Sequence, residues 1–130
     1  MKTFLIAALT LDGFIAQNIA QSSLKWTSKA DTARFIELTK RAGVMIMGRT
    51  TFNTIGKALK ERRMVVYTKQ PLDIPGVETT TLSPAELLQK LAIEGHTEVA
   101  ICGGAHIYTM FAKANLIDTM YITVEPLTFG

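Results

Sequence analysis

Two short turns constrain this chain more than any other feature. Ile46-Met47-Gly48-Arg49 closes one apolar run, and Gly103-Gly104 closes another after Cys102. Each opens a helix-like segment, Thr50-Thr51-Phe52 after the first and Ala105-His106-Ile107-Tyr108 after the second. A strand, a tight turn and a helix start aim free backbone N–H groups at an anion. Two such turns in one small domain imply a ligand with several phosphates, and together they point to an enzyme that uses a dinucleotide.

The remaining pattern is consistent with that geometry. Apolar runs predict strands at 3–10, 43–48, 63–68, 77–81, 97–102 and 118–125. Helical patterns fall at 29–41, 84–93 and 105–113, with a short turn near 51–55. Ser28 is placed to cap the first helix. Ser83, Pro84 and Glu86 stand at the cap, first and third positions of the second, and Gly95 stops it. Strands alternating with helices predict an α/β sheet, mostly parallel, covered on both faces. The 130 residues suffice for a single domain over 1–130 with its own core. The polar loop 16–27, carrying Trp26, has the character of a lid.

Composition narrows the classes. The net charge of +3, from 14 basic and 11 acidic residues, suits an anionic small molecule and is too scattered for nucleic acid. Cys102 is the single cysteine, which excludes an intrachain disulfide and a multi-cysteine metal site and fits a reducing, cytoplasmic setting. The apolar stretch 4–11 is short and runs straight into Asp12-Gly13, so it reads as a first strand and not as a signal peptide. No run reaches the ~18 apolar residues of a membrane span.

Six blocks in order resemble dihydrofolate reductase, over about Phe4 to Thr123. They are Ile6-Ala7-Ala8 with Asp12-Gly13-Phe14-Ile15; Trp26 followed by Asp31; and Ile46-Met47-Gly48-Arg49-Thr50-Thr51-Phe52 with Ile55-Gly56. Leu59, Arg62 and Val65-Val66-Tyr67-Thr68 follow, then Cys102-Gly103-Gly104-Ala105 with Tyr108, and Tyr121-Ile122-Thr123. The resemblance implies a three-layer α/β sandwich. It also implies NADPH as cofactor, hydride transfer to C6 of dihydrofolate with protonation at N5, and binding of antifolate-type ligands.

It further implies roles for residues. Asp31 would hold the pterin edge and support protonation, with Trp26 and Thr123 beside it. Asp31, Phe35 and Leu38 share one helix face by spacing, while Ser28-x-x-Asp31 is also a legitimate capping box. Ile6, Phe35, Ile55 and Leu59 would wall the substrate, with Cys102 offering its backbone carbonyl and Tyr108 nearby. Arg62 would take the glutamate carboxylate, a task for a planar two-point donor, with Arg63 the second candidate in a basic cluster with Lys57 and Lys60. The cofactor would lie against Ala8, Ile15, Ala16, Gly48, Arg49, Thr50, Thr51, Thr68, Lys69, Gly103, Gly104, Ala105, His106, Ile107 and Tyr108. The Gly103–Gly104 bond is expected to be cis.

The chain also departs from the family pattern. Lys25 stands where proline is usual, Thr32 where an apolar residue is frequent, and Ala105 replaces a third glycine. The family continues with two more strands beyond 118–125. With that C-terminal hairpin absent or not included, this strand is expected at a sheet edge, in a monomer or in a homodimer that covers the edge. Two other readings stay open at this point. One is a riboflavin-pathway ribosylamino-pyrimidine reductase of the same superfamily, which Asp12-Gly13-Phe14-Ile15-Ala16 would suit. The other is a shortened, non-catalytic domain that binds NADPH or a pterin. Trp26, Asp31, Phe35 and Met47–Phe52 favour the folate branch.

Overall fold

Six apolar runs pair side by side into one sheet. The computed structural model describes residues 2–10, 29–56 and 58–125, with side chains described at 2–6, 35–56 and 58–121. The elements are β1 (Lys2–Thr10), α1 (Lys29–Ala42), β2 (Val44–Gly48), α2 (Arg49–Ile55), β3 (Arg63–Tyr67), β4 (Val77–Thr80), α3 (Pro84–Ile93), β5 (Glu98–Ile101), α4 (Ala105–Lys113) and β6 (Thr119–Glu125). The strand order is β4-β3-β2-β5-β1-β6, and every described pairing is parallel. This is the three-layer α/β arrangement expected from the alternation.

Element boundaries fall within two residues of expectation, and two of the differences have a clear physical cause. The short turn near 51–55 is a helix that begins at Arg49, because Gly48 is extended (φ −82°, ψ 165°) and the chain turns helical at once. The second strand begins at Val44 and not at Gly43. Gly43 has φ +78° and its N–H bonds the Thr39 carbonyl at 2.9 Å, so it ends α1 in the left-handed conformation that glycine tolerates.

The order fixes the layers. Crossovers between parallel strands are right-handed, so connections moving one way along the sheet lie on one face and those moving back lie on the other. Side chains confirm it. Leu87, Leu88 and Leu91 of α3 and Ile107 and Phe111 of α4 pack with Val44, Ile46, Val65, Val99 and Ile101 on one face. On the opposite face Phe52 of α2 packs with Met45, Met47, Met64 and Val66, and Leu38 and Ala42 of α1 pack with Phe4 and Ala100. Successive residues of β2, β3 and β5 alternate between the two cores, as the period of two requires.

An ion cluster ties the start of β3 to its neighbours. The Arg63 guanidinium meets Glu78 of β4 with both Nε and Nη2 (Nη2 at 2.8 Å from Oε1), and its Nη1 meets Glu94 at the end of α3. Arg63 lowers the Glu78 and Glu94 carboxyls below their ordinary value of 4.5, most of all through hydrogen bonding. A carboxylate lowered on folding stabilises above its unfolded pKa and loses that contribution as pH falls through its folded value. Arg63→Met is therefore expected to lower the melting temperature at neutral pH, with the deficit shrinking as pH falls below 4.5. Melting curves across acid pH check this, and a deficit independent of pH would refute it.

Candidate active site

The site begins where β2 and β5 end side by side. The chain leaves β2 into α2 on one face and leaves β5 into α4 on the other. Adjacent parallel strands whose connections diverge open a crevice beyond their carboxyl ends. The two ends are stitched together: Cys102 N–H donates to the Ile46 carbonyl at 2.9 Å, and Gly48 N–H donates to the Gly103 carbonyl at 2.8 Å. The Gly103–Gly104 peptide is cis, as the resemblance implies.

Both turns are shaped for close approach. Gly48 and Gly104 cap α2 and α4 without a side-chain hydrogen bond, so no side chain stops the first N–H groups of either helix. A Cβ on Gly48 would stand 3.2 Å from Ile107 Cγ1. One on Gly103 would stand 3.3 Å from both Thr51 Oγ1 and Tyr108 Oη. At both positions the protein's own side chains stand where a Cβ would reach, so tight packing of the two turns calls for glycine. Arg49 begins α2 with its Nε donating to Asn53 Oδ1 at 3.1 Å. Thr50 is exposed and Thr51 half-buried beside Gly103. On the adjoining strand, Gly48 pairs with Tyr67, so Thr68 and the exposed Lys69 follow at the same edge as Arg49. Tyr67 Oη is buried without a hydrogen-bond partner among the described residues, and burial pushes this phenol up to about 12. Ala105 and His106 are exposed in the first turn of α4.

Tyr108 ties the crevice to β1. Its hydroxyl donates to the Ile6 carbonyl at 2.6 Å, and burial raises its pKa far above the ordinary phenol range, so it stays neutral. An apolar wall lies on the α1/α2 face. Phe35, Ile55, Ala58, Leu59 and Cys102 pack against the β2/β3 core, while Ile6, Tyr121 and again Cys102 pack against Phe4 and Ala100. Cys102 thus joins the two groups. Burial pushes its thiol up to about 12, with the Arg62 charge acting weakly the other way. That thiol is no nucleophile at neutral pH.

The two candidate arginines separate clearly. Arg63 is spent on Glu78 and Glu94. Arg62 has no carboxylate partner among the described residues. Its Nε donates to the Lys60 carbonyl at 3.0 Å and its Nη1 to Thr39 Oγ1 at 3.1 Å. Trp26, Ile15 and Ala16 lie outside the described residues, as do the side chains of Ala8, Asp31 and Thr123. The backbones of Ala8 and Thr123 pair across β1 and β6, and Asp31 falls in the first turn of α1. Thr39 was not singled out from sequence. The usable signal was its spacing of eight residues from Asp31 and four from Phe35, a polar residue on an apolar stripe. Among the described residues no group of three or more His, Cys, Asp or Glu side chains could hold a metal, and no helix is long and apolar enough to cross a membrane.

A parallel α/β sheet with a glycine-lined crevice at its carboxyl edge defines a broad class of ligand-binding folds. The comparisons narrow it. The family profile described as dihydrofolate reductase matches residues 2–126. Dihydrofolate reductase type 8 of Escherichia coli is 32% identical over 131 residues, covering 95% of this chain and 71% of that protein. Dihydrofolate reductase of Staphylococcus haemolyticus is 28% identical over 123 residues, covering 95% and 69%. A crystal structure from Shewanella sp. PV-4, described as a riboflavin biosynthesis protein, superposes with a TM-score of 0.79 at 22% identity, covering 98% of this chain and 78% of that one. That likeness concerns the fold. The chain belongs to the dihydrofolate reductase family.

Proposed function

We propose that this chain reduces 7,8-dihydrofolate to 5,6,7,8-tetrahydrofolate with NADPH. The observation that supports the reading is the junction at Cys102, where the glycine turns that end β2 and β5 adjoin an apolar wall of Ile6, Phe35, Ile55 and Leu59. A hydride donor and a flat ring need to meet at such a boundary.

Gly48, Gly103 and Gly104 would let the backbone approach the diphosphate, with Thr50, Thr51 and the first amides of α4 as donors. Arg49, Thr68 and Lys69, clustered at the ends of β2 and β3, would favour a cofactor carrying an extra phosphate. NADPH supplies the hydride for C6 when bound. Asp31, on the stripe of α1 that also holds Phe35 and Leu38, would bind the pterin edge with Thr123 and support protonation at N5. Phe35, Ile55 and Leu59 exclude water from the ring, and a drier site strengthens each polar contact to it. Arg62, at the far end of this wall, would take the glutamate carboxylate.

The test is dihydrofolate-dependent loss of NADPH absorbance with the purified protein. Turnover that requires dihydrofolate supports the reading. Bound NADPH without turnover refutes it, and the same assay with a ribosylamino-pyrimidine then asks whether the chain acts on the substrate of the other branch.

A further inference from the structure

We propose that Met64 is a positioning residue for the apolar wall: its thioether holds the Leu59 backbone, and so sets how closely the wall fits the flat part of the substrate. The inference deepens the folate reading above and rests on it.

Three of the four wall residues are carried by regular elements. Ile6 lies on β1, Phe35 on α1 and Ile55 on α2. Leu59 lies on the turn between Gly56, the left-handed end of α2, and Arg63, where β3 begins. Among the described residues, no backbone-to-backbone hydrogen bond involves positions 58–62. The Leu59 N–H donates instead to Met64 Sδ at 3.1 Å. Leu59 is half-buried, and an amide withdrawn from water without an acceptor is costly. The sulfur therefore decides where this part of the turn comes to rest.

Met64 is a fixed point for that bond. It is fully buried, and its backbone pairs with Met45 of β2 on one side and Val77 of β4 on the other. The preceding residue, Arg63, is held by Glu78 and Glu94. The Met64 side chain belongs to the core of Met45, Met47, Phe52 and Val66, the same core against which Phe35, Ile55 and Leu59 pack. Methionine suits this double task. Its unbranched apolar chain fills the core, and its sulfur is a weak acceptor. A leucine there would fill similar space and leave the Leu59 N–H unpaired. Leu59 thus takes its place in the wall from a central part of the sheet, although the turn that carries it also holds the exposed Lys60 and Glu61.

The experiment measures kcat and KM for dihydrofolate and the dissociation constant of NADPH. Met64→Leu keeps the bulk and removes the acceptor. The expected result is a rise of about threefold to tenfold in KM for dihydrofolate, the scale of one neutral hydrogen bond, with kcat and NADPH affinity near their wild-type values. Met64→Asn does the reverse: it gives up core packing and carries an oxygen at the δ position, where the sulfur stands. It is expected to melt at a lower temperature and to keep KM near the wild-type value. In a Leu59→Ala background Met64→Leu should raise KM no further, because its effect runs through the Leu59 side chain. Amide exchange supplies a readout that needs no turnover: the Leu59 N–H is expected to be protected in the wild type and to exchange faster in Met64→Leu, while the β3 amides keep their protection. Should asparagine prevent folding, the Leu59→Ala cycle and the exchange rates still decide. An unchanged KM in Met64→Leu, an equal rise in the Leu59→Ala background, an NADPH dissociation constant that rises as much as KM, or a wild-type Leu59 amide without protection overturns the inference. So does a folded Met64→Asn whose KM rises as far as that of Met64→Leu. A wild type that does not turn over dihydrofolate overturns the folate reading, and the inference with it.

Discussion

Asp31→Asn is expected to lower kcat for dihydrofolate reduction at neutral pH by about 10²–10⁴-fold, the usual worth of a positioned acid or base, while NADPH binding stays nearly unchanged. The expectation follows from where α1 places this position. Phe35 packs against the wall at Ile55, Leu59 and Cys102, and Leu38 packs against Phe4 and Ala100. Asp31 lies one turn before Phe35 on the same stripe. Because α1 runs back antiparallel to the strands it connects, its first turn stands at the carboxyl edge of the sheet, beside the ends of β2 and β5. A carboxylate at that place can accept hydrogen bonds from a pterin edge and exchange a proton with solvent or ring, and an amide of the same shape cannot pass a proton on. The alternative role, a capping box with Ser28, makes a different forecast. Losing a cap costs about 0.5–2 kcal/mol of stability and disturbs all ligands of α1 alike. Turnover and NADPH affinity measured on the same preparation decide between them: equal loss of both would make Asp31 structural.

How far this could be read in advance depends on how local each signal is. All six strands were legible because each apolar run is bounded by glycine, proline or a polar turn, and α3 was legible to the residue through Ser83, Pro84 and Glu86, where Ser83 Oγ accepts from the Glu86 N–H at 3.3 Å. The sides of the strands were less legible. In Val44-Met45-Ile46-Met47 every residue is buried, so alternation disappears from the pattern although it persists in space. The two glycine turns were found from their residues, but their contact, Gly48 N–H to the Gly103 carbonyl, joins positions 55 residues apart. Arg62 and Arg63 are neighbours with the same chemistry in the sequence. Only partners 15 and 31 residues away, Glu78 and Glu94, distinguish them. Thr39 was obscured by the Lys40-Arg41 pair that follows it, which gives the end of α1 a solvated look. Its burial is a property of the packed helix.

Gly103→Ala is expected to cost both stability and cofactor affinity. Gly103 is buried at φ +124°, a conformation outside the range of residues with a Cβ. Holding alanine there costs about 1–3 kcal/mol, before any contact is counted. The new methyl would meet Thr51 Oγ1 and Tyr108 Oη, each at 3.3 Å. Tyr108 can give way only by loosening its 2.6 Å bond to the Ile6 carbonyl, and that bond ties α4 across β5 to β1. Thr51 can give way by rotating its side chain or by moving the start of α2, where the proposed phosphate donors lie. Each adjustment alters the proposed phosphate-binding turn or the hydroxyl beside it, so NADPH affinity is expected to fall about tenfold or more, the effect of losing one charge-assisted hydrogen bond. Gly43→Ala supplies the comparison. Gly43 also has positive φ, at +78°, but a Cβ there meets nothing within 4 Å, and it lies at the opposite edge of the sheet. It should lower the melting temperature and leave the NADPH dissociation constant as it was. Thermal melts and NADPH titrations on both variants test the contrast. Unchanged NADPH affinity in Gly103→Ala, or an equal loss in both variants, would mean that the Gly103–Gly104 turn does not face the cofactor.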